Sequence, residues 1–155
     1  MKRNIILFAV ALVTLCSCSS ACNAANPKNP ATGEAIVKSG LEVLVKNDFK
    51  PLKGKKIGLL TNPSGVDRNL NSTIDILFNA EGVELVKLFA PEHGVRGDIY
   101  AGGHADDSVD EKTGLPVLSI YGKTLKPTPE MLVGLDAVVY DIQDVGARSY
   151  TFISA

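Results

Sequence analysis

The chain has 155 residues, a formal net charge of −1, no tryptophan and three cysteines. This length allows one domain with a modest hydrophobic core, and the lack of a basic block argues against a nucleic-acid partner. All three cysteines lie within the first 22 residues, so the rest of the chain offers neither a disulfide framework nor a thiol nucleophile.

The first 25 residues are predicted to be a secretory signal peptide. Lys2 and Arg3 precede an apolar run from Ile5 to Leu15, and small residues follow. This pattern is typical of an export signal and is too short to span a bilayer as a mature helix. Two outcomes stay open: simple cleavage, or a lipoprotein signal with Cys18 as the lipidated residue, which would give a reversible membrane anchor. Both predict a secreted or periplasmic protein.

The mature chain is predicted to begin with a linker. Removal of residues 1–25 takes away two of the 16 basic residues and leaves 155 − 25 = 130 residues with a net charge near −3. Residues 26–33 are polar and rich in Pro and Asn, which favours a tether. Residues 34–155 then form the predicted domain. It starts with a weak strand candidate at residues 34–38 and a short amphipathic helix from Leu41 to Asn47, which Pro51 is expected to end.

Apolar runs and helical patterns alternate through the rest of the domain. Ser72 or Asn71 is a suitable cap for one helix, which Gly82 is expected to close, and Thr128 precedes a second short helix with Pro129 at its favoured first position. Such alternation predicts an α/β fold, a Rossmann-like parallel sheet with flanking helices. The last residues point to a new helix without a stop signal, so the sheet is expected to be incomplete at the C-terminal end. The four predicted strands are residues 55–61, 84–90, 116–121 and 137–142.

Polar loops follow three of these strands. Ligand sites in parallel sheets lie beyond the carboxyl ends of the strands, so residues 62–65, 91–97 and 141–148 are expected to meet. Their carboxylates, amides, imidazole and guanidinium groups suit a ligand with many hydroxyl groups. Glu92 is the leading candidate for a general acid, because Pro91 and Gly94 constrain it directly after a buried strand. Glycosidases usually need a second carboxyl group, for which Asp141 and Asp144 are nearest by topology.

Other chemistries find little support. His93 and His104 match no zinc motif, and no metal or other cofactor is predicted. No GxGxxG or GxSxG motif occurs, and Gly122-Lys123-Thr124 lacks the earlier glycine of a phosphate-binding loop. An acidic stretch is expected to be a solvated loop: Asp106, Asp107, Asp110 and Glu111.

Four stretches of the chain resemble the bacterial exo-β-N-acetylmuramidases, a family long described as a domain of unknown function. They are GKKIGLLTNPSGVDRNLNSTIDIL (54–77), LFAPEHGVRGD (88–98), TGLPVLSIYG (113–122) and YDIQDVGARSYTF (140–152). The resemblance implies a glycoside hydrolase that releases terminal N-acetylmuramic acid from peptidoglycan fragments in cell-wall turnover. It also implies a Rossmann-like amino domain followed by a smaller domain, with the active site in the cleft between them.

The same resemblance assigns residues to the site. The glutamate of the PEHG stretch, the family's proposed catalytic residue, falls on Glu92. This chain would supply only the amino domain of such an enzyme and is therefore expected to be truncated and marginally stable. The alternative is a non-catalytic module that binds muropeptides or other carbohydrates, or an inactive fragment. The implied cleft-lining residues are Asn62, His93, Asp141, Gln143, Asp144 and Arg148.

Overall fold

The computed structural model describes residues 37–100, 103 and 106–154. The chain falls into two units, Met1–Val37 and Lys38–Ala155, and almost all described residues belong to the second. The predicted signal peptide, the linker and His104 lie outside the described residues, as does most of the strand candidate at 34–38. Val37 and Lys38, its two described residues, are not in a strand. Within the described ranges, no helix has the length and apolar character needed to cross a membrane.

The second unit is built on one five-stranded sheet with short helices. The strand order is β3-β4-β2-β1-β5; β1, β2, β4 and β5 run parallel, and β3 pairs antiparallel with β4. The elements are α1 (Gly40–Lys46), β1 (Lys56–Thr61), α2 (Thr73–Phe78), β2 (Glu84–Ala90), β3 (Ser108–Val109), β4 (Pro116–Ser119), α3 (Pro129–Leu132), β5 (Ala137–Asp141) and a 3₁₀ helix (Phe152–Ser154).

The predicted α/β fold and its four parallel strands are confirmed, with three corrections. The loop between β2 and β4 contains the unpredicted β3, whose two residues are too few to show a period. The first helix, Gly40–Lys46, agrees with the predicted span from Leu41 to Asn47, and Pro51 lies in the turn that follows it. The second helix, α2, ends at Phe78, before Gly82. Gly82 instead has a φ of 76° in the turn that enters β2. The predicted final helix is only the single 3₁₀ turn.

The core lies on both faces of β1 and β2. Ile57, Leu59 and Phe89 are fully buried, as expected for central strands of a parallel sheet. One face of the sheet packs against Ile74 of α2. On the other face, Phe89 lies in a cluster that Met131 and Leu135, from α3 and the turn after it, pack against. Gly58 permits this packing, because a Cβ there would lie 2.6 Å from Cε2 of Phe89.

Lys87 is a charged residue in the middle of β2, and its side chain makes structural hydrogen bonds. Its Nζ donates to the carbonyl oxygens of Met131 at 3.0 Å and Val133 at 3.1 Å. These carbonyls lie at the C-terminal end of α3, where backbone oxygens lack helical partners and a cation is favourable. Lys87 therefore ties α3 to the central strand.

Candidate active site

The polar loops meet at the carboxyl edge of the sheet. The backbone N–H of Gln143 donates to Oγ of Ser64 at 2.8 Å, which joins the loops after β5 and β1. Gly97 approaches Pro63 so closely that a Cβ on residue 97 would lie 2.7 Å from its Cγ. The loops after β1, β2 and β5 are therefore in contact, as the parallel topology predicts.

Glu92 lies directly beyond β2 and is half-buried. Oγ1 of Thr151 donates to its Oε2 at 2.8 Å. Interaction with the Glu92 carboxylate, together with partial loss of hydration, raises the pKa of the Tyr121 hydroxyl above its usual value. Tyr121 therefore stays protonated near neutral pH. Thr151 therefore contacts the Glu92 carboxylate directly, and Tyr121 interacts with it from a separate segment.

His93 is part of the tight turn that carries Glu92. Its φ of 72° lies in the left-handed region, where histidine is one of the more tolerated non-glycine residues. Its Nδ1 lies 3.0 Å from the carbonyl oxygen of Ile99. Because a carbonyl oxygen can only accept, Nδ1 is the donor in this hydrogen bond. The imidazole also contacts Phe152, with ring centroids 6.3 Å apart. His93 therefore holds the turn together, and its contact with substrate stays a prediction.

Asn62 and Asp141 are both engaged in hydrogen bonds within the fold. Oδ1 of Asn62 accepts from N and Oγ of Ser64, at 2.9 and 2.6 Å, which shapes the turn after β1. Oδ2 of Asp141 accepts from Oγ1 of Thr73 at 2.5 Å, at the start of α2. These contacts give both residues structural work, and their proposed binding roles stay predictions.

The remaining predicted residues lie together in the loop after β5. Oδ2 of Asp144 accepts from the backbone N–H of Gly146 at 3.1 Å, whereas its Oδ1 is buried and has no hydrogen-bond partner in the described part of the chain. Gln143 donates from Nε2 to the carbonyl of Asp144 at 2.9 Å. Arg148 is exposed. Because this oxygen is buried, contact between Asp144 and a ligand stays a prediction.

An ion-pair cluster braces the loop that carries Glu92. Arg96 donates from Nε and Nη2 to the two carboxylate oxygens of Asp110, at 2.5 and 2.9 Å, and from Nη2 to Oδ1 of Asp75 at 3.0 Å. Lys112 pairs with the same Asp75. Hydrogen bonding to Arg96 lowers the pKa of Asp110 to about 2. The cluster therefore links the loop to α2 and to the loop between β3 and β4.

This cluster corrects the expectation of a wholly solvated acidic loop. Asp110 is only 6% exposed, because a bidentate guanidinium compensates for its lost hydration. Asp106, Asp107 and Glu111 are exposed as expected, although Asp107 accepts a hydrogen bond from the backbone N–H of Ser119 at 2.9 Å. Among the described residues, no group of three or more histidines, cysteines or acidic residues is placed to hold a metal ion.

A cavity of about 540 Å³ lies beside Tyr121, at the carboxyl end of β4. Such a volume suits a small ligand. Its wall combines hydroxyl groups, carboxylates, an ammonium group and an aromatic ring. The lining residues are Asp106, Asp107, Ser119, Tyr121, Lys123, Thr124 and Met131.

Sequence reasoning missed two residues of the site, Tyr121 and Thr151. Tyr121 could have been found, because it follows β4 much as Glu92 follows β2. Thr151 follows no strand directly and reaches Glu92 only through the way its segment folds back.

Comparison with known proteins gives this geometry a family. The sequence profile described as "Exo-beta-N-acetylmuramidase NamZ, N-terminal" matches residues 57–155, well over half of the chain. The chain belongs to this family. Glu92, Tyr121 and Thr151 all lie inside the matched region.

Relatives of the exo-beta-N-acetylmuramidase family support the assignment. The Peptidoglycan beta-N-acetylmuramidase NamZ of Bacillus subtilis (strain 168) is 46% identical over 153 residues, which cover 99% of this chain and 37% of that protein. The chain therefore spans little more than a third of this relative.

Two crystal structures of DUF1343 family proteins from Bacteroides fragilis NCTC 9343 share the fold. One is 59% identical with a TM-score of 0.69 and covers 76% of this chain and 29% of its own. The other is 36% identical with a TM-score of 0.57 and covers 74% and 28%.

Proposed function

We propose that this chain forms the glutamate-bearing wall of an exo-acting β-N-acetylmuramidase, which releases terminal N-acetylmuramic acid from peptidoglycan fragments. The observation that carries the proposal is Glu92, which lies beyond a central strand and accepts a hydrogen bond from Thr151 within the family's matched region. The Bacillus subtilis relative is named as a peptidoglycan beta-N-acetylmuramidase, which supports the same substrate class.

The proposed chemistry is general acid–base catalysis by Glu92. Its carboxyl group donates a proton to the glycosidic oxygen as the bond to the leaving sugar breaks. The resulting carboxylate takes a proton back from the water whose oxygen adds to the anomeric carbon, which regenerates the acid. Asp144 remains a proposed contact for a sugar hydroxyl, and the cavity beside Tyr121 provides room for a sugar unit.

A role in cell-wall turnover outside the cytoplasm completes the proposal. The apolar run after Lys2 and Arg3 supports export. Both simple cleavage and lipidation at Cys18 fit that location. Mass spectrometry of the mature protein distinguishes them, because lipidation adds acyl mass to a chain that begins at Cys18.

The test replaces the matching 37% of the Bacillus subtilis relative with this chain, so that the remainder of that protein is present. We expect the chimera to hydrolyse both an aryl β-glycoside of N-acetylmuramic acid and a muramic-acid-terminated disaccharide. Glu92→Gln should lower kcat by about 10²- to 10⁴-fold on the disaccharide. The loss should be smaller on the aryl glycoside, whose leaving group needs less help from an acid.

Glu81→Gln is the matched control, because Glu81 is an exposed glutamate in a turn away from the site. Retention of disaccharide turnover by Glu92→Gln would remove Glu92 from the mechanism. A chimera that binds muropeptides without hydrolysing them would support the binding-module alternative instead.

A further inference from the structure

We infer that Thr151 and Tyr121 are positioning residues that hold the Glu92 carboxylate in one orientation for catalysis. The inference rests on the proposed function and assigns a task to two hydroxyl groups outside the predicted site. Oγ1 of Thr151 lies 2.8 Å from Oε2 of Glu92. Tyr121 lies two residues beyond β4, just as Glu92 lies two residues beyond the neighbouring strand β2, and it interacts with the same carboxylate.

A glutamate side chain needs such partners if its carboxylate is to keep one orientation. The last torsion of its side chain, which turns the carboxylate plane, has a broad energy profile and no sharp rotamer. Proton transfer to a glycosidic oxygen requires a defined direction, and small misplacements of a catalytic group are costly. The hydrogen bond from Thr151, together with the interaction with Tyr121 from a separate segment, restricts this rotation.

The Thr151 hydroxyl is presented by a docked segment. The next residue, Phe152, is only 8% exposed. Its carbonyl oxygen accepts a hydrogen bond from the Tyr140 hydroxyl of β5 at 2.7 Å, and its ring contacts His93, the neighbour of Glu92. Thr151 is therefore fixed relative to both β5 and the turn that carries Glu92.

Tyr121 approaches Glu92 from the opposite side of β2. It follows β4, which neighbours β2 on one side, whereas β5 lies on the other side of β2, beyond β1. The backbone N–H of Tyr121 donates to Oγ of Ser119 at 3.3 Å, and its carbonyl accepts from the same hydroxyl at 3.1 Å. This local turn fixes the start of the Tyr121 side chain. The ring also borders the 540 Å³ cavity, so Tyr121 connects the carboxylate to the space proposed for a sugar.

The first experiment needs no catalysis. Selective ¹³C labelling of tyrosine rings allows the titration of each tyrosine to be followed by NMR in the 155-residue chain. Removal of the Glu92 charge by Glu92→Gln should lower the titration midpoint of Tyr121 towards its usual value, because hydrogen bonding to Glu92 is the main cause of its raised pKa. Tyr140 is the internal control, because its pKa is raised chiefly by burial. An unchanged Tyr121 midpoint would overturn the inference for Tyr121.

The second experiment measures kinetics in the chimera described above. Thr151→Val and Tyr121→Phe should each lower kcat roughly tenfold, the cost of one hydrogen bond to a charged group, with KM changed less than about twofold. Thr151→Ser keeps the hydroxyl and should restore most of the rate. Ser149→Ala is the control, since Ser149 is an exposed hydroxyl residue two positions earlier on the same segment.

The outcomes separate this inference from the proposed function. If the chimera hydrolyses the disaccharide while Thr151→Val matches wild type, positioning by Thr151 is wrong and the function stands. If the chimera does not hydrolyse it, the proposed function fails, and the tyrosine titration still decides whether Tyr121 and Glu92 interact. A fall in rate that Thr151→Ser does not rescue would assign Thr151 a packing role and overturn its positioning role.

Discussion

Glu92 gains its candidacy from its contacts rather than from its residue type. An exposed loop glutamate is normally solvated on all sides, whereas the Glu92 carboxylate accepts a hydrogen bond from Thr151 and interacts with Tyr121. The constrained turn after β2 sets its position along the sheet edge. In the proposed arrangement, Thr151 and Tyr121 then set the direction of its oxygens.

Lys123 provides a test of which sugar the adjoining cavity accepts. It lines the cavity and is exposed. N-acetylmuramic acid carries a lactyl carboxylate that N-acetylglucosamine lacks. Because an exposed ion pair contributes at most about 1 kcal/mol, we expect Lys123→Ala to weaken N-acetylmuramic acid binding by roughly three- to fivefold. Binding is measured by NMR titration of the 155-residue chain.

Lys126→Ala is the matched control for this substitution. Lys126 is exposed in the same loop but does not line the cavity. N-acetylglucosamine should bind the wild-type and Lys123→Ala chains equally. Equal losses in the two lysine variants would show that the effect comes from overall charge and not from the cavity.

At the scale of elements, the cluster of Arg96, Asp110 and Asp75 joins three segments. It makes the free energy of unfolding depend on pH in the acid range. The folded-state pKa of Asp110 is about 2, below its ordinary value of 3.8, because of the bond to Arg96. The pKa of Asp75 is also lowered by its two cationic partners, against the effect of burial. Depressed carboxyl pKa values contribute stability that is present above about pH 4 and is lost as the pH falls towards about 2.

The measurement is the urea unfolding midpoint between about pH 6 and about pH 2. Asp110 should account for a fall on the order of 2 kcal/mol in the free energy of unfolding between these pH values. This part of the fall should be absent in Asp110→Asn. That variant should also be less stable than wild type at pH 6. Asp98→Asn, a change at an exposed residue of the same loop, should leave the wild-type pH dependence intact. A parallel pH dependence in wild type and Asp110→Asn would contradict the assignment.

The elements that could be predicted from sequence are those whose pattern is local. Long apolar runs revealed β1, β2, β4 and β5, and Ser72 marked the start of α2, where its Oγ accepts from the N–H of Ile74. By contrast, β3 has two residues and exists only because β4 lies beside it. Its position depends on tertiary pairing that no local pattern contains.

The same distinction applies to the site. The position of Glu92 at the carboxyl edge of the sheet could be predicted, because parallel strands end at the same side of a sheet. The burial of Asp110 could not be foreseen, because it depends on an arginine 14 residues earlier that returns to the same place. Thr151 reaches Glu92 across 59 residues of sequence, and that contact depends on the docking of Phe152.

At the scale of the whole molecule, the edge strand β5 leaves apolar side chains in contact with solvent. Val138 is 44% exposed and Tyr140 is 48% exposed, and β5 has a partner on only one side within the described residues. An open strand edge of this kind is a template for pairing with another chain. We expect the 155-residue chain to self-associate as its concentration rises, as measured by sedimentation velocity.

Val138→Lys should raise the monomer fraction, because a charge on an edge strand opposes pairing. Val43→Lys is the matched control: Val43 is 42% exposed on α1, where the helix already satisfies most backbone groups. A monomeric wild-type chain at the highest concentration tested would contradict the prediction. An equal effect of the two substitutions would point to net charge rather than to the strand edge.

The separation of the three contacting side chains along the chain has a consequence for folding. Glu92, Tyr121 and Thr151 follow one another at intervals of about 30 residues, each from a different part of the sheet edge. Contacts between distant residues form late, since the intervening chain must first lose its freedom. An intermediate with only β1, β2 and α2 assembled would bury most of the apolar core while its carboxylate still lacked both hydroxyl partners. The titration of Tyr121 therefore reports completed assembly of the chain, which secondary-structure content alone does not.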